Sequence, residues 1–94
     1  MEQSQQNPQN LVGPAVRSLR TAAGITQKVL SAKIQLAGWD LSREGLSKIE
    51  AQLRRVNDAE LYLLARVLKC EMRDLFPKRP RNLDSVVRPS RGRS

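Results

Sequence analysis

The chain has 94 residues, with 17 Lys+Arg against nine Asp+Glu for a formal charge of +8, no histidine and one cysteine. That length holds one small domain with a single modest core, and the lack of histidine excludes most zinc sites, the Ser-His triad and the usual general base. A 39% hydrophobic but 3% aromatic composition suits packed helices and not a sandwich or barrel. The longest apolar run, Leu61 to Ala65, is far short of the roughly 20 residues that span a membrane. The first seven residues lack the apolar stretch of a secretory signal, and a lone cysteine suits a reducing cytoplasm. The five glycines form neither a Walker-type loop nor a dinucleotide fingerprint. No catalytic residue, metal site, cofactor or small-molecule site is expected, and a pI near 10.8 favours a polyanionic partner.

Composition divides the chain into three. Residues 1–10 are rich in Gln, Asn and Ser and read as a disordered segment. Residues 11–76 carry eleven bases and seven acids with a period of 3.6, which predicts an all-α domain of five helices. Pro14 suits the first turn of a helix that turns Val16, Leu19 and Ala23 inward and stops at Gly24. Thr26 caps a second helix with Leu30 and Ile34 on one face, ended by Gly38. Ser42 caps a third, with Leu46 and Ile49 inward. Asn57 with Glu60 forms a capping-box pattern opening a fourth, with Leu61, Leu64, Ala65 and Leu68 on its apolar stripe. A short fifth runs from about Met72 to Phe76 and ends at Pro77. Residues 77–94 hold six bases, one acid and three prolines, and read as a basic tail without a fixed fold.

The third helix is the informative one. With Leu46 and Ile49 facing the core, Arg43, Glu44, Ser47 and Lys48 fall on its outer side. An arginine pairs bidentately with guanine, and a glutamate accepts from cytosine N4. Glu44 is equally readable as an ion-pair partner of Arg43 or Lys48. Gly45 is expected to keep the face shallow so that the backbone approaches a groove. Trp39 reads as a lid on the turn before this helix, and Cys70 as a small buried hydrophobe.

The segments Gly24-Ile25-Thr26-Gln27, Leu41-Ser42-Arg43, Leu46-Ser47-Lys48-Ile49-Glu50, Leu61 through Leu64-Ala65, and Asp74-Leu75-Phe76 occur in this order. Together they resemble the Cro/phage-repressor-like (XRE) helix-turn-helix family over about residues 12–76. The resemblance implies a lambda-repressor-like DNA-binding domain and a sequence-specific transcriptional regulator, a repressor, working on double-stranded DNA in a bacterial or phage-bearing cytoplasm. It also implies a homodimer on a palindromic site, because one recognition helix reads few base pairs. Gln27 matches the glutamine that sits against the DNA backbone, where helix N–H groups favour phosphate. Arg43 and Glu44, then Ser47 and Lys48, match the exposed recognition positions. Ser42 reads first as the cap of that helix, with a phosphate contact as a further duty that places it among the DNA-binding residues. Arg54 and Arg55 match phosphate-holding bases of the following loop, and Arg20 and Glu50 match a structural ion pair.

Two departures from the family pattern are visible. The connection between helices 2 and 3 is lengthened around Gln35 to Trp39. Gln52 stands where the family often has glycine, so an extended helix end is expected there and not a left-handed one. Two other classes fit the charge: a non-specific DNA- or RNA-binding protein and a protein-interaction module. Against RNA, Trp39, Tyr62 and Phe76 are the only aromatics for stacking, and the last two are expected inside. The tail bases are either a solubilising extension or contacts to phosphates or a minor groove.

Overall fold

Helix starts and stops follow local chemistry. Thr26 Oγ1 accepts from the Val29 N–H at 3.1 Å, and Ser42 Oγ from the Gly45 N–H at 3.0 Å. Asn57 Oδ1 accepts from the Glu60 N–H at 2.8 Å while Glu60 Oε1 accepts from the Asn57 N–H at 3.0 Å. Each side chain satisfies an N–H that a helix start leaves without a partner. The computed structural model describes residues 7–81 and 83–87. Its elements are α1 (Gly13–Ala22), α2 (Gln27–Leu36), α3 (Arg43–Glu50), α4 (Asp58–Leu68), a 3₁₀ turn (Met72–Leu75) and α5 (Leu83–Val87). No strand occurs among the described residues.

The fifth expected helix is thus a single 3₁₀ turn, and a further short helix lies in the stretch read as an unfolded tail. A run that meets Pro77 two residues after Leu75 has no room for a full α-helical ladder. The expectations for residues 1–6 and 88–94 lie outside the described residues. Asn10, placed by composition in the loose N-terminal segment, is instead 4% exposed. Its Oδ1 accepts from the Gly13 N–H at 2.8 Å, and its Nδ2 donates to the Ile49 and Arg54 carbonyls at 3.1 and 2.8 Å. One side chain therefore fastens the start of α1 to the end of α3.

The core comprises Val12, Val16, Leu30, Ile34, Leu41, Leu46, Ile49, Leu64, Ala65 and Leu75, where α1 to α4 and the 3₁₀ turn meet. Burying each large aliphatic side chain contributes about 1.5–3 kcal/mol. The α1–α3 crossing is close. A Cβ on Gly13 would overlap the Ile49 carbonyl oxygen and stand 2.9 Å from that of Glu50. Ala23 is exposed rather than inward, because α1 has already ended at Ala22. Tyr62 and Phe76 are 52% and 40% exposed, against their expected burial, and Cys70 is only half-buried.

The connection from α2 to α3 spans residues 37–42 and is firmly held. Gly38, at φ +107°, reverses the chain after α2, and the Trp39 N–H returns to the Ile34 carbonyl at 3.3 Å. Leu41 is buried, and its carbonyl accepts from Ser31 Oγ at 3.1 Å and Gln35 Nε2 at 2.8 Å. Leu41 also accounts for Gly45, since a Cβ there would come within 2.7 Å of Leu41 Cδ1. That glycine makes room for the turn beneath α3, not for a shallow outer face.

The end of α3 also departs from expectation. Gln52 is left-handed, with φ +63°. Its N–H bonds the Ile49 carbonyl at 3.0 Å and the Leu53 N–H bonds that of Lys48 at 2.8 Å, the two closures of a Schellman end. A non-glycine residue there is strained by about 1–2 kcal/mol. The Gln52 side chain offsets this by donating to the Asn10 carbonyl at 2.9 Å, while the main-chain carbonyl of Gln52 accepts from the Gln9 N–H at 2.9 Å.

Candidate nucleic-acid interface

Leu46 and Ile49 are fully buried, so helical geometry turns Arg43, Glu44 and Lys48 outward. The Arg43 and Glu44 side chains are 56% and 73% exposed and meet at 3.8 Å. An ion pair this exposed and this long adds about 0–1 kcal/mol, so Arg43 is readily transferred to another acceptor. Ser47 is half-buried lower on the same helix. Ser42, exposed at the helix start, has its oxygen occupied by the Gly45 N–H and its hydroxyl proton outside that cap bond.

Glu50 ties the interface together. Its side chain is 3% exposed and receives Arg20 Nε at 2.7 Å and Nη2 at 3.0 Å. Gln27 Nε2 donates to the same carboxylate at 3.0 Å. Arg20 Nη1 donates onward to the Ile25 carbonyl at 2.9 Å, in the turn before α2. The Glu50 hydrogen bond raises the Arg20 pKa further, against the effect of burial. Arg20 and Glu50 thus lock α1, the start of α2 and the end of α3 into one orientation. Gln27 is held by Glu50 at the first position of α2.

Gln27 and Ser47 share a cleft of about 250 Å³ with Arg17, Arg20, Glu50 and Ala51. Arg17 is exposed and has no ion-pair partner among the described residues. It did not emerge from the sequence, although it lies one turn before Arg20 on the same side of α1. Lys28, also exposed, extends the positive border at the start of α2.

The loop after α3 is arranged differently from expectation. Arg54 turns inward: Nη1 and Nη2 reach the two Glu60 oxygens, both at 3.1 Å, and the guanidinium lies 5.7 Å from the Trp39 ring centroid. It bridges the α2–α3 turn to the start of α4. Burial opposes ionisation of Glu60, but hydrogen bonds from Arg54 and the Asn57 N–H outweigh it and hold its carboxyl below the ordinary range. Arg55 is exposed, with Nη2 donating to the Val86 carbonyl at 2.6 Å and Nη1 near Gln9 Oε1 at 3.4 Å. Of the sequence-selected bases, Arg43 and Lys48 therefore lie on the outer face of α3, Arg54 is half-buried against Glu60 and Trp39, and Arg55 is engaged with α5.

Two short helices, each capped by a hydroxyl, with the second presenting polar side chains outward, define a helix-turn-helix domain. A helix-turn-helix family model matches residues 16–75. Among solved structures, the restriction-modification controller protein C.AhdI from Aeromonas hydrophila is similar at 34% identity and a TM-score of 0.61. The match covers 70% of this chain and 91% of that one. No curated protein matches the sequence. The chain belongs to the Cro/phage-repressor-like (XRE) helix-turn-helix family. It is a sequence-specific DNA-binding transcription regulator and not an enzyme.

Proposed function

We propose that the protein is a transcriptional repressor that reads the major groove of double-stranded DNA with α3. The observation that carries this is the exposed Arg43, Glu44 and Lys48 stripe opposite the buried Leu46 and Ile49. Arg43 is the base reader, pairing with guanine O6 and N7. Glu44 stands beside it and limits which base edges the pair accepts. Ser42, Ser47 and Lys48 complete the face. Gln27, oriented by Glu50, and Arg17 meet the backbone beside it, helped by the free N–H groups at the start of α2.

A single α3 covers only a few base pairs, so two copies act as a homodimer on a palindromic site, with half-sites about 34 Å apart. The likeness to a restriction-modification controller favours a second reading, a regulator serving a restriction-modification system. Selection of bound oligonucleotides from a random pool tests both the specificity and the symmetry. A recovered inverted repeat with about one helical turn between half-sites supports the reading. Recovery of no common sequence overturns it.

A further inference from the structure

We propose that residues 77–81 form a fixed phosphate-binding strap, with Arg79 and Arg81 gripping the DNA backbone beside the bases that α3 reads. This rests on the DNA-binding reading above and extends its surface to the other side of α1. Arg79 and Arg81 line a groove of about 410 Å³ whose other wall includes Pro14 and Ser18 of α1 and Gln52 from the end of α3. The groove and the Arg17–Gln27–Ser47 cleft both border the end of α3, Gln52 lining one and Ala51 the other. They lie on different sides of α1, which gives Pro14 and Ser18 to the groove and Arg17 and Arg20 to the cleft. Basic side chains thus stand on both sides of the end of α3, Arg17 in the cleft and Arg79 and Arg81 in the groove.

Both arginines are exposed, and neither has an ion-pair partner among the described residues. Asp84 is the one acid between residues 77 and 87, against Lys78, Arg79 and Arg81. The strap is also anchored at both ends. Before it, Leu75 is fully buried. After it, Val86 lines a pocket with Leu11, Leu61 and Phe76, and its carbonyl accepts from Arg55 at 2.6 Å. Pro77 and Pro80 restrict the backbone between those anchors. Arginines held this way lose less conformational freedom on meeting phosphates than those of a loose tail. Such contacts add affinity without reading sequence.

The test compares the full chain with an Arg79→Ala/Arg81→Ala variant, using the selected site with long flanks, the same site without flanks, and random duplex. Two lost phosphate contacts should lower the slope of log affinity against log salt by about 1.8 per protomer. Between 50 and 200 mM salt the intact protein should then lose about 12-fold more affinity per protomer than the variant. The difference should persist on random duplex and vanish on the trimmed site, with base preference unchanged. An Arg79→Lys/Arg81→Lys variant should restore the slope, and an unchanged melting temperature should exclude a folding effect. Equal slopes for the alanine variant and the intact protein on flanked and random DNA would overturn the strap. Failure of the intact protein to prefer any sequence would overturn the reading it rests on, while the slope on random duplex still decides the strap.

Discussion

Glu50→Ala should be among the most destabilising substitutions in this protein. The Glu50 side chain is 3% exposed and accepts three hydrogen bonds, two from Arg20 and one from Gln27. Its removal leaves a guanidinium that is only 12% exposed without its counter-charge. Breaking a buried pair from one side costs about 3–5 kcal/mol. A chain of this size has a total stability of roughly 5–14 kcal/mol, so the variant should lose a large share of it. At about 4–8 °C per kcal/mol, the melting temperature should fall by at least about 12 °C. Arg20→Ala should cost a similar amount by leaving Glu50 unpaired. The double variant leaves neither charge stranded, so its loss should fall short of the sum by about 2 kcal/mol. Urea unfolding followed through Trp39, the single tryptophan, measures all four corners of the cycle. Losses that add to within about 0.5 kcal/mol would refute the coupling and with it the locking role of the pair.

Gly13→Ala should destabilise by about 3 kcal/mol or more because its Cβ meets the Ile49 carbonyl, whereas Gly24→Ala, at φ +75° in open space, should cost only about 1–2 kcal/mol. Equal losses on thermal unfolding would contradict the close α1–α3 crossing. Arg54→Ala should lower stability and change Trp39 fluorescence while leaving the salt slope of DNA binding unaltered, since its charge is spent on Glu60. A slope lower by about 0.9 per protomer would make Arg54 a phosphate contact after all. Glu60 has a lowered folded pKa, so its contribution is present above the unfolded carboxyl value, near 4.3, and fades as pH falls through the lower folded value. Unfolding measured from pH 6 to 3 should show a shallower acid loss in Glu60→Gln than in the intact protein, and parallel curves would count against the Arg54–Glu60 link.

The fold was legible wherever a residue acts on its own neighbours. Thr26, Ser42 and the Asn57/Glu60 box announce helix starts because a cap reaches only three residues along the chain. The inward positions of α3 were equally readable from the spacing of Leu46 and Ile49. What stayed hidden depends on distant partners. Asn10 looks like part of a polar tail, and only the folded chain brings it to the Ile49 and Arg54 carbonyls. Gln52 takes a left-handed angle because Gln9 and Asn10 lie beside it. Arg54 and Arg55 look alike in sequence, yet one faces Glu60 and Trp39 and the other Val86. Arg17 gave no signal of its own, since an exposed base on an amphipathic helix is ordinary until Gln27 and Ser47 are found across the cleft. In the tail, α5 is too short to show a period, and distant partners position it, the Arg55 guanidinium on the Val86 carbonyl and Leu11, Leu61 and Phe76 around the pocket that Val86 lines.

The claim that α3 reads bases is tested most directly by measuring Arg43→Ala and the intact protein against every single-base variant of the selected site. Arg43 is predicted to specify one base pair in each half-site. The variant should therefore lose about 1–3 kcal/mol on the preferred sequence and become indifferent at that pair, with discrimination elsewhere retained. A variant that binds every sequence more weakly by one common factor would make Arg43 a phosphate contact and contradict the account.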